Sequence, residues 1–215
     1  MPATLVIGNK NYSSWSLRPW LLLRHFGVPF EEVRLPLDTP EFHARIGELS
    51  PSRRVPALHD GELVVWDSLA ICEYANERWL EGRGWPKGLG QRALARSAAA
   101  EMHSGFPALR TQLPMNVRRQ PRERHWDAAA DADIQRVQAL WSRLRGGAGE
   151  GGFLCGGFGI VDAMFAPACL RFRGYGVEVD ANARAYMDAV FALPAMQSWM
   201  DAALSETETV GADET

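Results

Sequence analysis

Three short segments in the first third of the chain carry residue types that could act together. Asn11-Tyr12-Ser13-Ser14-Trp15-Ser16 crowds three serines where an apolar helix is about to begin. The first turn of a helix presents unpaired N–H groups and a positive dipole end, and both favour an anion. A thiol, whose ordinary pKa is about 8.5, loses its proton more readily there. A serine at that position on its own more commonly means only a cap. The second segment is Trp66-Asp67-Ser68-Leu69-Ala70-Ile71. Ser68 reads as an N-cap that leaves N–H groups for a carboxylate, and Asp67 beside it suits an ammonium. An amino-acid head group carries both charges. Between the two lies Arg53-Arg54-Val55-Pro56. A cis Val55–Pro56 bond entering a strand would offer the N–H and C=O of Val55 to a ligand.

The elements around these segments follow from patterning. Residues 4–7 (TLVI) read as a buried strand, 30–37 as a second, and 55–66 as a hairpin turning at His59-Asp60-Gly61. A helix over about Leu17 to Phe26, closed by Gly27, is apolar nearly all round and belongs in a core. Its Pro19 falls in the first turn, where no helical partner is lost. A further helix starts at Ser68, which makes an α/β domain of residues 1–81. The Gly-rich stretch 82–91 (GRGWPKGLGQ) reads as a linker. Beyond it the patterning is helical. Ala98, Met102, Phe106, Leu109 and Leu113 form one stripe, and Ile134, Val137, Leu140, Trp141 and Leu144 another. Residues 161–172 are apolar on all sides, with Pro167 expected to kink them, and a short helix follows Pro194. These form an all-α domain of residues 92–204. The polar end 205–215 (SETETVGADET) is expected to be a flexible tail.

Composition narrows the function classes. A formal charge of -3 over 215 residues, with a pI near 6.0, argues against an obligate nucleic-acid binder. No apolar run approaches the roughly 20 residues of a membrane span, and the start MPATLVIG lacks a signal peptide's features, so a cytoplasmic protein is expected. Three widely spaced cysteines and five histidines make neither a disulfide framework nor a metal site. Cys155 would be reactive only if exposed. The run Arg118 to Arg124 reads as a solvated interhelix loop.

Taken in order, the segments resemble the cytosolic glutathione transferases, most closely their zeta-like and bacterial members. Ser13-Ser14-Trp15-Ser16-Leu17-Arg18 is similar to the zeta signature Ser-Ser-Cys-Ser-Trp-Arg. Val55-Pro56-Ala57-Leu58 resembles the family's cis-proline loop, and Asp67-Ser68-Leu69-Ala70-Ile71 its acid-Ser-x-x-Ile helix start. Gly159-Ile160-Val161-Asp162 resembles the second domain's capping box, with Gly159 in place of Ser or Thr. The resemblance implies an α/β thioredoxin-like N-terminal domain and an all-α helical-bundle C-terminal domain. It implies glutathione as co-substrate with no metal, a small hydrophobic electrophile as second substrate, and a homodimer. Ser13 or Ser14 would contact the sulfur, which residue types alone do not decide. Val55 would pair with the cysteinyl backbone of glutathione, Arg54 would bind its backbone or glycyl carboxylate, and Asp67 and Ser68 its γ-glutamyl amine and carboxylate. Trp15, Met102 and Phe106 are the candidate wall of the hydrophobic-substrate pocket. Trp15 stands where zeta members have cysteine, and Arg171 and Arg173 lie near, without aligning with, the second-domain arginine by which zeta members hold an acidic substrate; both departures weaken the case for zeta-type isomerase chemistry. A non-catalytic interaction protein on the same fold is the other alternative.

Overall fold

A computed structural model describes residues 2–121, 125–147 and 151–214. Its first part is a four-stranded mixed sheet in the order β2-β1-β3-β4. Strand β1 (Ala3–Ile7) is parallel to β2 (Phe30–Arg34) and antiparallel to β3 (Ala57–Asp60), which turns through Gly61 into β4 (Leu63–Trp66). Asp60 pairs with Leu63, so the hairpin loop is only Gly61-Glu62, and Gly61 takes φ +63, where a side chain would be strained. The parallel β1–β2 pair needs a crossover, and helix α1 (Ser14–His25) provides it.

Helix α1 begins three residues before the patterning suggests, because Ser13 caps it by accepting from Ser16 N at 3.4 Å. Pro19 therefore lies inside the helix rather than in its first turn, and the carbonyl of Trp15 loses its usual partner. Helix α2 (Pro40–Leu49) escapes the sequence reading because it buries only Ile46, too narrow a stripe to stand out. Its Thr39-Pro40 start is an ordinary cap-and-N1-proline signal. Helix α3 (Ser68–Arg78) closes the sheet side.

The remainder is helical: α4 (Leu89–Ser104), α5 (Pro107–Gln112), α6 (Ala128–Arg145), α7 (Ile160–Tyr175), α8 (Ala181–Phe191) and α9 (Pro194–Ser205). Helix α4 starts inside the stretch read as linker. The single stripe expected from Ala98 to Leu113 is broken at Gly105-Phe106, where Phe106 takes φ 63 and Pro107 starts a new helix. One hydrophobic core runs through both parts, with α1 packed on α7 and α9. Fifteen of the sixteen α7 residues are buried.

The capping box before α7 explains its unusual glycine. A Cβ at Gly159 would stand 2.6 Å from the carbonyl oxygen of Gly84, which accepts from Ile160 N at 2.9 Å. Asp162, fully buried, accepts from Leu154 N and Gly159 N, each at 2.9 Å. Burial pushes its carboxyl up to about 7 against the pull of these N–H groups.

The tail expected to be flexible is folded back on the first domain. Glu206 accepts from Lys10 N at 2.8 Å and Asn11 N at 3.0 Å, Val210 is buried, and a short 3-10 turn spans Gly211–Asp213. Arg118, expected in a solvated loop, donates to Glu206 O, Glu208 O and Tyr12 Oη at 2.6, 2.9 and 2.6 Å. Low hydrophobicity misleads over residues 205–214 because polar side chains here satisfy backbone groups of the loop before α1. Residues 122–124 of the same basic run lie outside the described part.

Candidate active site

The loop Asn9–Tyr12 that presents the serines is held by distant parts of the chain. Val117 N donates to Asn11 O at 3.1 Å, Asn11 donates to Asn116 at 3.0 Å, and Trp199 donates to Lys10 O at 2.9 Å. Glu214 accepts from Tyr12 Oη. Ser13 and Ser14 thereby sit fixed at the start of α1, both nearly buried. Their partners differ. Ser13 Oγ donates to Ser16 Oγ at 2.7 Å, which in turn accepts from Gly8 N at 3.1 Å. Ser14 Oγ accepts from Arg171 of α7 at 3.4 Å.

Two adjoining cavities meet at Trp15, Arg54 and Val55. The first, about 400 Å³, is lined by Ser13 and Ser14 together with Arg53, Arg110, Met115, Arg171 and Asp213. The second, about 370 Å³, ends at Trp66, Asp67 and Ser68. Between them the Val55–Pro56 peptide is cis. The three segments singled out by residue type thus line one continuous groove.

The far end of the groove differs in detail from the sequence reading. The N-cap of α3 is Asp67, not Ser68: its Oδ1 accepts from Leu69 N at 2.9 Å and Ala70 N at 3.2 Å. To do so Asp67 adopts φ 77, a region where side chains are strained. Its Oδ2 lies 3.1 Å from His103 Nε2 on α4. Ser68 is the first helical residue and its hydroxyl accepts from Arg18 at 3.2 Å.

The proposed pocket wall is only partly placed as expected. Trp15 lines both cavities, but Met102 and Phe106 line neither, being 0% and 5% exposed in the core. Met102 on α4 and Phe106 at the break before α5 both turn into the bundle core. The cavity instead receives Arg110 and Arg171, whose charges hydropathy patterning does not flag in apolar helices. Arg18 and Arg110 both stack on the Trp15 ring, at 4.3 and 4.9 Å from its centroid. Burial, helped by the neighbouring Arg110 and Arg171, lowers the Arg18 guanidinium to about 9. Burial and Arg110 bring Arg171 to about 10. Cys155 is half-buried, and burial raises its thiol to about 12, so it is not a ready nucleophile. Among the described residues no group of His, Cys, Asp and Glu is arranged to hold a metal ion, and no helix is long and apolar enough to cross a membrane.

Comparison with known proteins agrees with this arrangement. Residues 12–78 match the model "Glutathione S-transferase, N-terminal domain" and residues 127–202 the model "Glutathione S-transferase, C-terminal domain". The chain is 30% identical over 178 residues to glutathione S-transferase 1 of Dianthus caryophyllus, covering 77% of this chain and 76% of that one. It is 40% identical over 60 residues to the dichloromethane dehalogenase of Methylorubrum extorquens, a match confined to 27% of this chain and 21% of the relative's length. A glutathione transferase homolog from Burkholderia GL BGR1, solved with bound glutathione, superposes with a TM-score of 0.74 at 24% identity, covering 96% of this chain and all of that one. This chain belongs to the glutathione S-transferase family, with its thioredoxin-like first domain and helical second domain.

Proposed function

We propose that the protein is a glutathione transferase that ionises the glutathione thiol and directs the sulfur at an electrophilic carbon. The observation that carries the site assignment is the groove itself. Serine hydroxyls stand at one end, an acid–serine pair at the other, and a cis-peptide backbone lies between. In this reading Asp67 receives the γ-glutamyl ammonium and Ser68 its carboxylate. Val55 pairs its backbone with the cysteinyl residue, and Arg54 meets the backbone or glycyl carboxylate. Ser13 or Ser14 donates to the sulfur.

The chemistry follows from charge. A hydroxyl hydrogen bond, the helix N-terminus and the guanidinium of Arg171 all favour thiolate over thiol, so the proton leaves to solvent at neutral pH. The sulfur then forms a C–S bond as the electrophile's leaving group departs with the bonding pair. The protein supplies position and field; the nucleophile belongs to glutathione. A homodimer is part of the same reading. Leu63 and Trp66 on β4 and Leu89 and Leu94 on α4 are exposed large hydrophobics that a second copy would cover.

Calorimetry tests the reading: glutathione is titrated into the protein at neutral pH in two buffers of different ionisation enthalpy. Binding with proton release supports it. Absence of binding at millimolar glutathione removes it.

A further inference from the structure

The loop between β1 and α1 makes few bonds of its own. Tyr12 N and Ser13 N both donate to Asn9 O, at 3.3 and 2.8 Å. The N–H groups of Lys10 and Asn11 donate instead to the carboxylate of Glu206, one to each oxygen, at 2.8 and 3.0 Å. Two successive backbone N–H groups converging on one anion form a nest, and charge-assisted bonds of this kind fix the peptide planes that carry them. The Glu206 side chain is only 7% exposed and lies 3.6 Å from Arg34. Arg118 holds the same segment by its backbone, donating to Glu206 O and Glu208 O, and reaches Tyr12 Oη as well. These bonds are not an accessory to core packing: among the described residues, no side chain after Ala203 belongs to a hydrophobic cluster. The serines follow within a few residues, so a turn of the Lys10 and Asn11 peptides displaces their hydroxyls. A catalytic donor must be held within about 0.5 Å of its productive place to keep its effect.

We propose that Glu206 is a positioning residue for thiol ionisation: by fixing the Lys10 and Asn11 peptides it aims the serine hydroxyl at the glutathione sulfur without touching the substrate. The proposal rests on the glutathione-transferase reading and adds to that site a residue from the far end of the chain. The direction of the effect separates this role from two others. A carboxylate acting through its charge alone opposes a nearby thiolate, so its removal would make the thiol more acidic. A carboxylate acting through the loop does the reverse, because its removal lets the hydroxyl drift and leaves the thiol less acidic. A residue that merely fastens the tail leaves the thiol unchanged and lowers stability.

The test follows the ultraviolet absorbance of bound glutathione's thiolate against pH in the full chain. Calorimetry with S-methylglutathione, which has no thiol, measures peptide binding separately. Glu206→Gln keeps the size but replaces one acceptor with a donor, and should raise the thiol's midpoint by about one pH unit. Glu206→Asp keeps the charge but falls short of both N–H groups, and should raise it likewise. Both should bind S-methylglutathione within about twofold of wild type. Glu208→Gln, whose side chain bonds only Arg34, should leave the midpoint where it is. An unmoved or lowered midpoint in either folded variant overturns the proposal, and so does a shift shared by Glu208→Gln. Loss of S-methylglutathione binding would make Glu206 a support of the groove, and loss of the fold in both variants a structural residue; each also overturns it. Failure of the wild type to bind glutathione, or to ionise it when bound, is read before any variant and removes the transferase reading, and the proposal with it.

Discussion

His103 Nε2 lies 3.1 Å from Asp67 Oδ2, so a helix of the second domain reaches the carboxylate that begins α3 in the first. The His103 ring also meets Trp15 edge-on at 5.3 Å. Burial holds its pKa below the ordinary imidazole value of about 6.5, Asp67 pulls it up, and Arg18 and Arg110 push it down. At neutral pH the ring is uncharged, and in the proposed function Asp67 is then left for the γ-glutamyl ammonium.

Acidification should therefore weaken glutathione binding. Once protonated, His103 pairs with Asp67 and competes with the ligand's amine. We expect KM for glutathione to rise about two- to fivefold below the ordinary imidazole range, the worth of a partly exposed ion pair. His103→Asn should flatten that profile. A wild-type profile already flat down to pH 5 would refute the competition. Stability moves the same way. The folded state binds fewer protons than the unfolded chain, so this group's contribution falls as pH drops through the imidazole range.

The two serines separate by a paired measurement. Ser13→Ala removes both a hydroxyl and the α1 cap, and should lower stability by about 1 kcal/mol. Ser14→Ala removes a hydroxyl that accepts from Arg171 and caps nothing. Whichever hydroxyl meets the sulfur, its loss should reduce kcat/KM about ten- to hundredfold, the value of one hydrogen bond to an ion. Full activity in both variants would remove the serines from the chemistry.

Restoring a conventional capping residue before α7 should do harm. Gly159→Ser drives a Cβ to 2.6 Å from Gly84 O, and the overpacking should cost about 1–3 kcal/mol. Denaturant midpoints compare it with wild type, and an unchanged or raised midpoint would show that the linker yields freely.

Met102→Ala should act on stability alone. Its side chain is fully buried away from both cavities, so the cavity it leaves should cost about 2–5 kcal/mol. Glutathione KM in the surviving folded protein should stay within twofold of wild type. A large KM change would return Met102 to the pocket wall.

Much of the frame was legible from residue types because its signals are local. The Asp60-Gly61 turn, the apolar run of β1 and the near-complete burial of α7 each follow from local patterning. Helix α2 was lost because one buried side chain, Ile46, makes no stripe. The break at Phe106 was hidden because apolar spacing continued across it. At the groove, the three segments were visible but their roles within it were not. Asp67 rather than Ser68 caps α3 because it accepts a left-handed φ that only the folded loop enforces. Arg110 gave no signal and Arg171 showed only through the resemblance, since their meeting at Trp15 and Ser14 depends on how α5 and α7 pack against α1. The tail misled for the same reason: Glu206 earns its place through Lys10 and Asn11, nearly two hundred residues away.

That last distance bears on how the molecule is made. Residues 9–12, which present the serines, take their bonds from residues 116–118 and from 199 to 214. As the chain leaves the ribosome, its sheet domain can collapse early around local contacts, but the loop before α1 still lacks these partners. It acquires the full set only when the final helix and the tail beyond it have been synthesised. A nascent chain stalled after α3 is made but before residue 199 would thus carry an assembled sheet domain with an unfinished serine loop.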